Sequence, residues 1–437
     1  MMSAEPALIR KSMANGAEWF GQPRGLTILF LTDMWEQFSY YGMRAILVYY
    51  MTKQLVLAQE TASLVYGLYT AFVFFTPIVG GIVSDRWLGR RNAVLIGGSI
   101  MALGHFLMAF EPAFYLALAT IALGNGLFLP SLPSQIGGLY REDDPRRKFA
   151  YNFYYLGVNV GGFIAPFVVG TVGEIYGWHW GFTVAGVGML VGLGTYIAGG
   201  RYLPVEIRDA AQSSVTEKKL PIENTLLQRF ALLAAIAAVV VIFRGAYEQL
   251  GNTLALWIET TDRTLGSFVI PMTWFQSLNP LVVIVLTPVL VTRWTRLARR
   301  GRETSPVQKM AIGAGIVAVS YLMLAGVAAW MEAQGTQVSW LWLVAFFTVV
   351  TVGELYILPL GLGLFGRLAP DGFSATTIAT WFLAAFAGNF LAGAIGTFWS
   401  RLSPAGFFVL AACLAASSGA LLMMFDRPVQ RAEARAA

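Results

Sequence analysis

Long apolar runs, broken by short clusters of charge, glycine and proline, dominate this chain. Twelve of them approach or exceed the ~20 residues that a helix needs to cross a bilayer. They predict helical spans at 26–51, 62–84, 92–110, 114–139, 149–173, 180–198, 227–250, 268–292, 309–331, 339–364, 374–399 and 405–425, numbered 1 to 12 below. A polar stretch from Gly199 to about Ile222 separates the first six from the last six and is too short to add a helical pair in the membrane. The predicted layout is therefore a segment at 1–25, a six-helix bundle at 26–198, a linker at 199–226, a second six-helix bundle at 227–425 and a tail at 426–437. The expected fold class is all-α and integral to the membrane, with twelve transmembrane helices in two six-helix halves.

Span 1 departs from the apolar pattern. Asp33, Glu36, Gln37, Tyr40 and Arg44 recur so that, at 100° per residue, they fall within about one 100° stripe. Ionisable groups at membrane depth are costly, so they face a polar cavity or one another. One helix thus presents a polar face inside a membrane protein, which suits a wet pathway better than a lipid anchor. A chain with alternating-access halves would place its site between them, near the bilayer midplane.

Charge fixes an orientation. With both termini cytoplasmic, 25 of the 30 Lys and Arg fall on inner segments. They include Arg10, Lys11 and Arg24; Arg86, Arg90 and Arg91; Arg141, Arg146, Arg147 and Lys148; and Arg208, Lys218 and Lys219 in the linker. The 8–9 loop carries Arg293, Arg296, Arg299, Arg300, Arg302 and Lys309, and the tail carries Arg427, Arg431 and Arg435. Lys53, Arg263 and Arg401 lie outside. This bias is the signature of cytoplasmic loops, and it explains the net charge of +6 without invoking nucleic acid. Residues 1–25 contain Glu5, Arg10, Lys11, Glu18 and Arg24 and no apolar core, so the first span is expected to direct insertion.

Composition agrees. The chain is 57% hydrophobic and 12% charged, whereas soluble domains carry about a quarter charged residues. One cysteine, Cys413, excludes a disulfide framework, and two histidines, His105 and His179, are too scattered for a metal site. No nucleophile with its base is evident, so an enzyme is not expected, nor any cofactor.

The run Gly80-Gly81-Ile82-Val83-Ser84-Asp85-Arg86-Trp87-Leu88-Gly89-Arg90-Arg91 resembles the 2–3 loop signature of the major facilitator superfamily. Asp33-Met34-Trp35-Glu36-Gln37-Phe38-Ser39-Tyr40-Tyr41-Gly42 resembles the first-span signature of the proton-dependent oligopeptide transporter family, Glu-x-x-Glu-Arg-Phe-x-Tyr-Tyr-Gly. Phe153-Tyr154-Tyr155-Leu156-Gly157-Val158-Asn159-Val160-Gly161-Gly162 in span 5 and Phe275-Gln276-Ser277-Leu278-Asn279-Pro280 in span 8 are similar to further family segments. So are Glu248-Gln249 in span 7, Gly353-Glu354-Leu355 in span 10 and Trp381 in span 11. Two cationic positions of the family are missing: its first-span arginine is Gln37, and its span 4 lysine is Leu129, before Pro130. Phe74 stands where many relatives have tyrosine.

The resemblance implies a major facilitator fold and a proton-coupled importer of di- and tripeptides, with the proton as coupling ion and no cofactor. It implies that Glu354 receives the peptide's amino terminus, and an ammonium in a low-dielectric cavity does need an anion. It implies that Arg44 and Glu248 pair across the halves as an outer gate, which protonation of Glu248 would release so that a proton drives opening. Arg244, four residues before Glu248, is a competing partner at same-face spacing, and it could replace part of the missing positive charge. Asp33 and Glu36, one turn apart without the usual arginine, repel one another and are candidates for the coupling proton. Asn159, Asn279, Gln37 and Gln249 are candidate hydrogen-bonding groups for substrate, with Tyr40, Tyr41 and Trp381 as pocket walls. His105 is expected to pack in the core or against the cavity and not to transfer protons. A functional monomer in the inner (plasma) membrane is expected, in contact with lipid. The lost cations keep two alternatives open: a same-family carrier of an amphipathic metabolite without a carboxylate, or a substrate sensor that does not transport.

Overall fold

A computed structural model describes residues 18–141, 143–204, 224–302, 304–370 and 373–434. The expected N-terminal segment before residue 18, with Arg10 and Lys11, lies outside the described residues. So do Arg208, Lys218 and Lys219 of the linker, and Arg435 of the tail.

Among the described residues, ten helices are long and apolar enough to cross a membrane. They run Gln59–Leu88, Glu111–Leu139, Phe149–Tyr176, Trp178–Ala198, Leu227–Ile258, Met272–Arg299, Pro306–Gln334, Leu341–Leu368, Thr376–Gly396 and Pro404–Met424, and correspond to spans 2, 4 to 12. Helices Arg24–Tyr49 and Arg90–Leu107 occupy the places of spans 1 and 3. Span 1 is less apolar because it carries Asp33, Glu36 and Arg44; span 3 is short and opens on Arg90 and Arg91. The only strands among the described residues are two-residue pairs, Glu18–Trp19 with Gln22–Pro23 and Thr264–Leu265 with Phe268–Val269.

Close packing divides the described residues into two compact units: those of 18–43 with 76–204, and those of 44–75 with 224–434. This division differs from the halves expected at the linker. The C-terminal end of span 1 and most of span 2 are bound to spans 7 and 11 by short-range contacts. A Cβ on Gly67 would come 2.4 Å from the Gly393 Cα. Tyr49 donates its hydroxyl to the Ala255 carbonyl at 2.7 Å, and Ser63 donates to Asn252 Oδ1 at 3.0 Å.

In the first unit, glycines set the packing of span 1. A Cβ on Gly161 would meet the Met34 carbonyl at 2.2 Å, and one on Gly188 the Phe38 ring at 2.5 Å. The span 5 motif therefore has a packing reason: only a bare backbone admits span 1 at this distance. Leu29, Met101, Phe128, Met189, Leu193 and Tyr196 form the core around it. His105 is fully buried there as expected, with neither ring nitrogen hydrogen-bonded.

In the second unit, two spans are interrupted at functional-candidate positions. Span 7 leaves regular helix after Tyr247, tightens through Glu248–Gly251 and resumes at Thr253–Ile258. Span 10 consists of Leu341–Leu355 and Leu358–Leu368. Pro359 accounts for the second break, since it lacks the N–H that would bond the Leu355 carbonyl. Broken helices in membranes persist where the freed groups are buried in protein or line a cavity.

Candidate functional site

The candidate residues fall into two groups. Arg44, Glu248, Gln249, Asn279, Glu354 and Trp381 belong to the second unit; Asp33, Glu36, Gln37, Tyr40, Tyr41 and Asn159 belong to the first.

In the second unit, Glu248 lies in the span 7 interruption, 4% exposed. It is shared by two guanidiniums. Arg44 Nη2 donates to its Oε2 at 2.6 Å, and Arg244 Nη1 donates to its Oε1 at 3.1 Å. The two partners that the sequence poses as competitors are therefore both engaged, one on each oxygen. Arg44 Nε also donates to the Tyr66 hydroxyl at 2.5 Å, and the Arg244 guanidinium lies 5.2 Å over the Phe74 ring. The missing hydroxyl at position 74 thus leaves an apolar ring against Arg244. Arg244 Nε is buried with no acceptor.

Glu354 precedes the break in span 10 and remains partly accessible. Asn279, in the first turn of the helix Leu278–Arg299, donates Nδ2 to Glu354 Oε2 at 2.5 Å. The same amide reaches Thr351 Oγ1 at 3.0 Å and the Tyr247 hydroxyl at 3.4 Å. These partners are neutral, so they orient the carboxylate without cancelling its charge.

Two candidates in this unit are accounted for by packing. Gln249 is fully buried, donates to the Gly245 and Ala392 carbonyls at 3.0 and 2.8 Å, and accepts from Thr253 at 3.0 Å. Its polar atoms tie span 7 to span 11 and leave none for a ligand. Trp381 stacks edge-on against Phe365 with centroids 5.2 Å apart, over Gly361, where a Cβ would come 2.2 Å from the indole. It wedges span 11 against span 10.

In the first unit, Asp33 and Glu36 are each 1% exposed. Asp33 accepts a short hydrogen bond from the Tyr154 hydroxyl on Oδ1, while its Oδ2 is buried without a partner. Glu36 Oε2 accepts from Gln37 Nε2 at 2.7 Å. Among the described residues neither carboxylate is in an ion pair. Where the family carries an arginine, a neutral amide now serves the adjacent glutamate. Asn159 donates to its own helix at Tyr155 O, 3.0 Å, and is 8% exposed. Tyr40 and Tyr41 pack edge to face at 5.3 Å, and Tyr41 lies against Gly162.

Tyr66, Tyr154, Tyr247 and Thr351 were not among the sequence candidates. Tyr154 was within reach of the sequence, since it sits in the span 5 segment that resembles a family signature. Tyr66, Tyr247 and Thr351 carry no such signal and are found only through their hydrogen bonds.

Comparisons with known proteins bear on this arrangement. The family model described as the POT family matches residues 91–220 and 225–406, and that of sugar and other transporters matches residues 3–129. An uncharacterized transporter, YclF, of Bacillus subtilis is 31% identical, covering 99% of each chain. A di-/tripeptide transporter of Lactococcus lactis subsp. cremoris is 30% identical over 94% of this chain and 96% of its own. The crystal structure of the peptide transporter POT with sulfate superposes with a TM-score of 0.85 at 29% identity, over 97% of this chain and 99% of that one. A POT family transporter solved with 5-aminolevulinic acid, 23% identical with a TM-score of 0.84, shares the fold. With two stretches of family match and relatives aligned nearly end to end, the chain belongs to the POT family, the proton-dependent oligopeptide transporters of the major facilitator fold, and is a multi-pass membrane protein rather than an enzyme.

Proposed function

We propose that this chain imports small peptides together with protons by alternating access of the halves 26–198 and 227–425. The observation that carries the reading is Glu354, a partly accessible carboxylate held by Asn279 at a break in span 10. A peptide ammonium entering a low-dielectric site gains a charge-assisted bond there, stronger than a neutral one. The relative from Lactococcus named as a di-/tripeptide transporter supports the same substrate class.

Glu248 serves as an outer latch through Arg44. Because Arg244 holds its other oxygen, release of Arg44 does not leave a bare buried carboxylate. Opening is therefore separated from protonation of Glu248. The coupling proton falls instead to Asp33 and Glu36, two buried carboxyls one turn apart with only neutral partners, the kind of intramembrane group that marks a proton pathway. The protein works as a monomer in the inner (plasma) membrane, with both termini on the cytoplasmic side that the Lys and Arg bias of the sequence favours.

Reconstituted vesicles loaded with buffer and offered a labelled dipeptide test the reading: dipeptide enters, and entry is competed by unlabelled dipeptide but not by its N-acetyl form. Equal competition by the N-acetyl form would remove Glu354 from amine recognition. One observation favours a second reading. Gln37 spends its amide on Glu36, so no cation stands there for a substrate carboxylate. An amine-bearing substrate without a free carboxylate fits that arrangement, and equal inhibition by a dipeptide and its C-terminal amide would select it.

A further inference from the structure

The inner end of span 8 carries a groove of about 640 Å³ lined by Val289, Arg293, Arg296, Leu297 and Arg300, among others. The three guanidiniums are exposed, and among the described residues none has a carboxylate or any other hydrogen-bonding partner. Unpaired cations grouped this closely repel one another, so an anion is needed to offset the repulsion.

The surface below the groove identifies the anion. Val285 and Val289 are 57% and 59% exposed on the same helix. At 100° per residue, Val285, Val289, Arg293, Arg296 and Arg300 occupy about 80° of arc. One stripe therefore runs from exposed valine to arginine over roughly 22 Å of helix rise. A free anion would use only the upper part of that stripe. An amphiphile with a phosphate head and an acyl chain uses all of it. The arginine bias assigns this end to the cytoplasmic leaflet, where basic grooves at the ends of spans take anionic headgroups.

We infer that this groove seats one anionic phospholipid, its phosphate on Arg293, Arg296 and Arg300 and an acyl chain along Val289 and Val285. The seat lies on span 8, which also carries Asn279 in its first turn, but it is independent of the peptide site. Each arginine near the surface of an anionic membrane contributes about 1 kcal/mol, so removing three corresponds to roughly a hundredfold in affinity.

Native mass spectrometry of the detergent-purified full chain tests this with phosphatidylglycerol and phosphatidylethanolamine of identical acyl chains. The wild type is expected to retain phosphatidylglycerol in preference to phosphatidylethanolamine. The triple variant Arg293→Gln, Arg296→Gln, Arg300→Gln is expected to lose the preference. Because that variant also alters the charge that orients the chain, a second one leaves the arginines in place: Val289→Trp obstructs the acyl path and is expected to lower phosphatidylglycerol retention at least tenfold. Inorganic phosphate at millimolar concentration is expected to displace little lipid. Equal retention of both lipids by the wild type would overturn the inference, as would unchanged retention in either variant. Full displacement by phosphate would also overturn it, in favour of a free-anion site.

Discussion

Glu248→Gln removes the one carboxylate shared by two guanidiniums, and the geometry sets the size of the effect. The Arg44 and Arg244 side chains are 16% and 8% exposed. Stranding a buried charge costs about 3–5 kcal/mol. The Tyr66 hydroxyl on Arg44 and the Phe74 ring beneath Arg244 offset only about 1 kcal/mol each. Arg44→Ala is different, because Glu248 keeps Arg244; it loses one charge-assisted bond, about 1.5–3 kcal/mol. Removing both arginines strands the carboxylate instead, so the double variant is expected to exceed the sum of the singles by about 1–3 kcal/mol. Thermal unfolding of each purified variant in detergent measures the order: Glu248→Gln least stable among the singles, Arg44→Ala least affected, and the arginine pair more than additive. Dipeptide uptake against pH, run beside it, is expected to keep its wild-type profile in Arg44→Ala. Strict additivity of the two arginines, or an Arg44→Ala loss equal to that of Glu248→Gln, would refute the shared-carboxylate reasoning.

Two further predictions concern separate parts of the molecule. Glu354→Gln keeps the shape and the Asn279 neighbour but removes the charge, so dipeptide affinity, measured by competition binding, is expected to fall about tenfold to a hundredfold while the N-acetyl form remains a non-competitor, as in the wild type. Asp426, outside the spans, is partly desolvated, which pushes its carboxyl upward, but hydrogen bonds from Ser305, Gln308 and Gln430 outweigh this and hold it below its ordinary value. The stability it contributes is present above the ordinary carboxylate range and is lost as pH falls through the lowered value. Hydrogen exchange across the helix Asp426–Ala434, corrected for its intrinsic pH dependence, is expected to accelerate as pH falls below the ordinary carboxylate range, and Asp426→Asn to abolish that step.

The spans were legible because twenty-residue apolar runs leave few alternatives in a bilayer. The polar face of span 1 was legible for the opposite reason: charge at such depth needs a cause, and the stripe from Asp33 to Arg44 supplied one. The pairing of Arg244 with Glu248 was readable from spacing alone, since residues four apart on a helix share a face. What the sequence leaves open is how side chains are spent. Gln249 and Trp381 carry the right chemistry for a binding wall, yet the Ala392 carbonyl and Gly361 absorb them, and those neighbours lie far along the chain. The grouping of residues 44–75 with the second unit was likewise hidden, because close approach of Gly67 to Gly393 depends on backbone paths and not on hydropathy. The breaks beside Glu248 and Glu354 stand between these cases. Pro359 announces one, while the span 7 interruption has no proline to mark it.

Proton coupling through the carboxyls of span 1 is tested most directly by accumulation. Proteoliposomes holding the wild type and the double variant Asp33→Asn, Glu36→Gln are given dipeptide with and without an inward gradient of one pH unit. One proton per peptide permits about tenfold accumulation per unit. The wild type is predicted to concentrate dipeptide only when the gradient is present, while the double variant exchanges dipeptide across the membrane without concentrating it. Gradient-driven accumulation that survives in the double variant would contradict the account.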